Sequence, residues 1–278
     1  MIKVLYRKFF YGSPLIGFNS LNVNTRRYYS TLSNNKHKMD DLQIDPWFIT
    51  GFSDGSNLSL VVWGTNLTST VGTGRFTKQI THMINLPSYH FSVMVGLVLS
   101  DGWLTIPRPD RKNARFCFLQ SLDKAYYVWF VFNILSHYCS RYPYVRKRSR
   151  LGVPSYALEF VTRILPCFTE LHSLFYLSGR KIIPENIYEL LTPVALAHLI
   201  MGDGSVQRHG LIICTDSYSI EDVVRLINVL IIKYRVECTI RVPKENQYRI
   251  YIRERSMHLI REVVELHMCS TMLFKIKL

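Results

Sequence analysis

Acidic residues are scarce in this chain and absent from its start: none occurs before Asp40, and 20 Asp and Glu face 34 Lys and Arg overall. A formal charge of +14 argues against basic partners and selects a polyanion, nucleic acid ahead of an anionic membrane surface. Long hydrophobic runs are missing too. Ser100, Asp101, Lys233 and similar polar residues interrupt every apolar stretch before it reaches the roughly 18 residues of a membrane span, so no membrane is expected as a partner. The six cysteines, Cys117, Cys139, Cys167, Cys214, Cys238 and Cys269, include no CxxC pair, which removes the usual zinc spacing and any disulfide framework. Apolar residues are plentiful: 48% of 278 residues suffices for one large core or two small ones.

The acid-free stretch carries Lys3, Arg7, Lys8, Arg26, Arg27, Lys36 and Lys38 among Ser, Asn and aromatics. That is the composition of a mitochondrial presequence, and Arg-Arg-Tyr-Tyr-Ser at 26–30 resembles a matrix-peptidase site, which points to the mitochondrial matrix. A basic arm touching nucleic acid, or the trace of an upstream reading frame, is the alternative. Residues 1–40 are therefore an extension outside the core. Residues 41–86, rich in Gly, Thr and Asn with weak periodicity, read as a linker, and the domain proper is expected to begin near Pro87.

From there the same order of elements runs twice, over 87–180 and 181–278. In the first copy the pattern predicts a helix over 90–101, strands over 103–106 and 114–119, a helix over 123–138, strands over 142–148 and 156–162, and a helix over 168–177. In the second it predicts a helix over 193–203 with Pro193 in its first turn, strands over 205–207 and 211–214, and a helix over 220–234. Ser219 with Asp222 resembles a capping box there. Strands over 238–242 and 248–253 and a helix over 257–267 follow. Both halves read αββαββα.

Each copy opens with an apolar helix ending in Asp-Gly: Met94-Val-Gly-Leu-Val-Leu-Ser-Asp101-Gly102 and Leu196-Ala-His-Leu-Ile-Met-Gly-Asp203-Gly204, the aspartates 102 residues apart. A lone Asp-Gly usually marks a left-handed C-cap turn. Two in register ask for more, because a carboxylate is unfavourable at the negative end of a helix dipole unless a cation compensates, and a divalent metal does so. Packed side by side about a pseudo-twofold axis, the two helix ends would bring both carboxylates to one Mg²⁺ or Mn²⁺ site. Gly96 and Ser100, with Ala197 and Gly202, suit close packing; His198 is the bulky exception.

These segments resemble the LAGLIDADG motif, and residues 87–278 resemble the single-chain, two-motif homing endonucleases of fungal mitochondrial group I introns. Ile183-Pro184-Glu-Asn186, Leu191-Thr192-Pro193, Met201-Gly-Asp203-Gly204, Thr215-Asp-Ser217-Tyr and Met272-Leu-Phe-Lys275 follow the family's order. The resemblance implies an α+β fold, two pseudo-symmetric αββαββα repeats forming a saddle with curved antiparallel sheets, in a monomer with internal pseudo-twofold symmetry. It implies a Mg-dependent endonuclease that hydrolyses both strands of double-stranded DNA at an intron-insertion site, with Asp101 and Asp203 as catalytic metal ligands. Lys181 and Lys275 match basic positions beside the cleavage centre. A maturase acting on group I intron RNA, on the same scaffold, is the alternative, and both activities can coexist.

Alternate strand residues share a face and can line a major groove. Arg108, Arg111, Lys112 and Arg115 flank the first hairpin turn, and Arg146, Lys147, Arg148 and Arg150 crowd the second. Gln207, Arg208, His209, Arg241, Lys244, Gln247, Arg249 and Arg253 hold the analogous places in repeat two. Upstream, Asp45-Pro46-Trp47-Phe-Ile-Thr-Gly-Phe-Ser-Asp54-Gly55 resembles a third motif without a repeat behind it, a remnant of fusion or of an overlapping intron frame.

Overall fold

The structure, a computed structural model, describes residues 67–277 apart from Pro109, Arg111, Leu151 and Gly152. The expected extension at 1–40, the motif at Asp54, and Arg111 lie outside the described residues.

Repeat one runs α2 (Ser88–Leu99), β1 (Trp103–Thr105), β2 (Arg115–Ser121), α3 (Ala125–Leu135), β3 (Tyr144–Arg150), β4 (Val153–Val161) and α4 (Pro166–Phe175). Repeat two runs α6 (Pro193–Asp203), β7 (Gly204–Gln207), β8 (Gly210–Cys214), α7 (Ile220–Tyr234), β9 (Cys238–Lys244), β10 (Gln247–Arg253) and α8 (Met257–Val264). The expected αββαββα order holds in both. Each repeat builds a four-stranded antiparallel sheet in the same order, β1-β2-β4-β3 and β7-β8-β10-β9.

The motif helices are apolar all round because they are enclosed all round. Val93 through Leu99 and Ala195 through Met201 are buried, and both helices belong to one hydrophobic cluster that spans the two repeats. Each sheet packs one face into the core. Phe116 and Phe118 of β2 and Phe160 of β4 turn inward and pack as an aromatic group, and Ile250 and Ile252 of β10 do the same in repeat two. The intervening residues face outward, as the two-residue period requires.

Helix starts follow local chemistry. Thr192 caps α6 by accepting from the Ala195 N–H, with Pro193 at the first position. Ser219 likewise accepts from the Asp222 N–H at the start of α7. The capping box is only half realised, because the Asp222 carboxylate accepts instead from the Ile183 N–H at 3.3 Å and from Arg225 at 3.0 Å. It thereby ties the connection between the repeats to α7.

Three expectations need correction. The folded part begins before Pro87: residues 67–86 include α1 (Lys78–Met83), and Arg163 grips the stretch ahead of it. Its guanidinium donates to the carbonyls of Thr70, Thr73 and Gly74 and stacks 3.9 Å from the centre of the Phe76 ring. The first motif helix spans Ser88–Leu99 rather than 90–101, because Pro87 sets its start. The helix predicted over 168–177 ends at Phe175, where Tyr176–Leu177 (β5) and Arg180–Lys181 (β6) form a small hairpin ahead of the short α5 (Ile187–Leu190).

Candidate active site and nucleic-acid face

Helices α2 and α6 meet along the seam expected of them. With the motifs 102 residues apart, Gly96 corresponds to His198 and Ser100 to Gly202, and these equivalents face each other across the axis. A Cβ on Gly96 would strike the Ala195 carbonyl and stand 2.6 Å from the His198 Cβ; one on Gly202 would stand 2.5 Å from the Ser100 Cβ. Glycine is thus required on one side at both levels. The glycine opposite is how bulky His198 is accommodated, and the Ala195 carbonyl also lies against Gly96. His198 is fully buried between Tyr127 and Phe130, and burial holds its imidazole neutral, down to about 3.

The seam ends at the two aspartates. Asp203 is the last residue of α6, and Asp101 follows α2 by two residues. Neither Gly102 nor Gly204 takes positive φ, so the Asp-Gly pairs are not left-handed caps. Asp101 accepts a short hydrogen bond from the Gln120 amide, and its Oδ2 lies 3.4 Å from where a Gly202 Cβ would sit. Burial, with the negative charge of Asp101 behind it, pushes the Asp203 carboxyl up to about 7.

Each helix end receives a lysine. Lys181 donates to the carbonyls of Ser100 (3.2 Å) and Gly102 (2.9 Å) after α2, and Lys275 donates to Met201 (2.6 Å) and Gly202 (2.9 Å) in α6. Lys275, expected near the cleavage centre, is only 5% exposed. The cationic complement demanded at the helix ends is therefore supplied first by these ammonium groups. Burial lowers both lysines to about 8, which leaves them mainly charged at neutral pH. Tyr218 adds a hydroxyl donor to the Leu99 carbonyl at 3.0 Å.

Two residues here had not been singled out. Gln120 is the last buried residue of β2, one before its end at Ser121, and Lys124, four residues on, acts through its charge on both Asp203 and Lys275. A polar residue near the end of an otherwise aromatic strand was the available signal for Gln120; none existed for Lys124.

The donor set fits a hard divalent cation. The site offers two carboxylates, the helix-end carbonyls being engaged by Lys181 and Lys275, and no cluster of three His, Cys, Asp or Glu exists among the described residues. That suits Mg²⁺ or Mn²⁺, which keep waters and phosphate oxygens as ligands, better than a closed protein cage.

On the outward faces of the sheets, strand register sorts the basic residues. Arg115, Arg146 and Arg148 share the outer face of the first sheet with Trp103, Thr105 and Tyr144. Lys147 pairs with Tyr156 and faces the other way. Gln207, Arg241, Lys244, Gln247, Arg249 and Arg253 share the outer face of the second sheet with Thr239 and Tyr251. Arg108, Lys112 and Arg208 are exposed in the loops at the strand ends. The arginines differ in freedom. Arg249 pairs bidentately with Asp216 through Nε and Nη2 (2.8 and 2.6 Å), Arg146 reaches both Glu159 oxygens through Nη1 alone (3.1 and 2.9 Å), and Arg241 stacks on the Tyr251 ring at 3.6 Å.

A duplicated fold with paired carboxylates at the inner helix ends and basic outer sheet faces defines a nucleic-acid-processing scaffold. Residues 91–260 match the model of the LAGLIDADG DNA endonuclease family, and the chain belongs to that family. It is 28% identical over 189 residues to the cytochrome b mRNA maturase bI2 of Debaryomyces hansenii, covering 66% of this chain and 72% of the relative. It is 32% identical over 120 residues to the intron-encoded endonuclease ai4 of Dictyostelium discoideum, covering 42% of this chain and 76% of the relative. The structure of the homing endonuclease I-WcaI bound to its DNA recognition sequence superposes with a TM-score of 0.67 at 23% identity, over 74% of this chain and 95% of that one. That likeness establishes the two-repeat saddle fold. No helix among the described residues is long and apolar enough to cross a membrane.

Proposed function

We propose that this chain is a site-specific homing endonuclease that cuts both strands of double-stranded DNA at an intron-insertion site, with Asp101 and Asp203 holding Mg²⁺ or Mn²⁺. The observation that carries this reading is a carboxylate at the end of each of two packed, symmetry-related helices, near enough that the charge of Asp101 raises Asp203, with each helix end bound by its own lysine. When bound, the divalent ion supplies Lewis-acid stabilisation of charge on the scissile phosphate. The chain's own residues do the rest. Gln120 fixes the Asp101 carboxylate, while Lys181 and Lys275 neutralise the helix-end carbonyls and keep positive charge where phosphate negative charge grows. The charge of Lys124 also acts on Asp203. The outer sheet faces bind the duplex, and residues 87–180 and 181–278 act as its two half-site readers. Because one chain carries both carboxylates, a monomer suffices.

The test is a plasmid carrying the intron-insertion site. Wild type with Mg²⁺ linearises it; Asp203→Asn binds but does not cut. Equal cutting by that variant would remove Asp203 from the chemistry. The maturase kinship favours a second activity, assistance to splicing of the host group I intron RNA. A strict splicing requirement without DNA cutting would make that the primary role. The basic, acid-free stretch before Asp40 and kinship to a cytochrome b maturase support action in the mitochondrial matrix.

A further inference from the structure

Glu159 is out of place on a surface meant for DNA. It belongs to β4, opposite Tyr144 of β3 and Leu119 of β2, on the face that carries Arg115, Arg146 and Arg148. A carboxylate there repels phosphate. It is also desolvated, its side chain 4% exposed, which is costly for a charge without a partner. Its partners are the Tyr144 hydroxyl, directly opposite, and Arg146, a diagonal neighbour on the same face, whose Nη1 donates to both carboxylate oxygens. Arg146 remains 54% exposed. With Nη1 committed to Glu159, Nε and Nη2 keep three protons for an outside acceptor.

A guanidinium held this way has two properties. Its position is fixed from below by a buried anchor, so little side-chain entropy is lost when it meets an acceptor pair. Its charge is largely cancelled, so it contributes little to phosphate attraction. Both suit base reading and neither suits backbone contact. Arg249 is the contrast: Asp216 engages its Nε and Nη2 together, at 2.8 and 2.6 Å, and so occupies the edge that Arg146 leaves open. We propose that Glu159 is a positioning residue that presents Arg146 as a fixed fork to the major-groove edge of one base pair, the N7 and O6 acceptors of a guanine. This rests on the reading that the outer sheet faces bind DNA.

The test uses the full chain, folding checked by thermal melting, with two readouts. Affinity for a short duplex of unrelated sequence is measured at several salt concentrations, and preferred sites are selected from a randomised duplex pool. Glu159→Gln uncovers the Arg146 charge. Its slope of log affinity against log salt becomes steeper by about 1, and the unrelated duplex binds more tightly. The selected sites lose about 5- to 100-fold preference at one base pair and keep the others. Arg146→Lys, which retains the charge but not the fork, loses the same preference with the slope unchanged. Arg148→Ala flattens the slope by about 1 and keeps the preference. An unchanged slope in Glu159→Gln, or preference kept at that base pair in both Glu159→Gln and Arg146→Lys, overturns the proposal. Failure of the wild type to bind any duplex at low salt would instead overturn the DNA reading beneath it.

Discussion

Gly202→Ser is the most informative single change in the seam. A Cβ at position 202 would stand 2.5 Å from the Ser100 Cβ, closer than two carbons can approach, with the Ser100 hydroxyl equally in the way. The helices must separate or Ser100 must move, and Ser100 is held by donating to the Gly96 carbonyl at 3.0 Å. Overpacking of this kind costs about 1–3 kcal/mol. At about 2–4 °C per kcal/mol for a domain of this size, the melting temperature falls by roughly 2–12 °C. The obstruction is a side chain, so Ser100→Gly removes it, and the double variant places the larger residue on the opposite helix in the same gap. Differential scanning calorimetry without metal should show the double variant recovering at least half the loss, a coupling of about 1 kcal/mol or more. Gly96→Ala is the control, because there the Ala195 carbonyl stands in the way and trimming His198 leaves it in place. A double Ser100/Gly202 variant no more stable than Gly202→Ser alone would refute the idea that side-chain complementarity sets the spacing of the helices. DNA cutting by Gly202→Ser should fall at least tenfold, since residue 202 adjoins Asp203 and small displacements of reacting groups are costly.

Lys275→Met should destabilise more than Lys181→Met, by about 1–3 kcal/mol, because the Met201 and Gly202 carbonyls it serves are buried whereas Lys181 spans longer bonds at a more open end; equal melting temperatures for the two would contradict this. In metal-free protein the Asp203 carboxyl, raised to about 7, keeps in the folded state a proton that the unfolded chain releases near the ordinary aspartate value of 3.8. Stability therefore declines as pH rises across that window. The decline should be weaker in Asp203→Asn, and Mg²⁺ should raise the melting temperature more at pH 7.5 than at pH 5, since binding displaces the proton. Parallel pH profiles for wild type and Asp203→Asn would exclude this. Arg163→Ala should expose residues 67–76 to limited proteolysis while leaving the later chain resistant, because one guanidinium holds three of that stretch's carbonyls.

What was legible in the sequence was whatever local chemistry writes into it. Helices α6 and α7 could be placed to the residue because Thr192-Pro193 and Ser219 announce their starts. The 102-residue register of the two Asp-Gly pairs exposed the symmetry axis before any coordinate did. Contacts made through tertiary register left no such mark. Gln120 reaches Asp101 only because β2 delivers its end beside α2, and Glu159 meets Arg146 only because β3 and β4 pair as they do. The stretch 67–76 has no apolar period at all, being held by its own carbonyls, so composition alone reads it as linker. The electrostatics of the motif were half right. A carboxylate at a helix C-terminus does call for a cation, but Lys181 and Lys275 answer that need, each on its own helix. The case for a divalent ion therefore shifts from the helix dipoles to the carboxylates themselves. Asp203, pushed up to about 7 by burial and then by the charge of Asp101 despite Lys181, Lys275 and Lys124, is the group whose charged form an oxygen-seeking cation would stabilise.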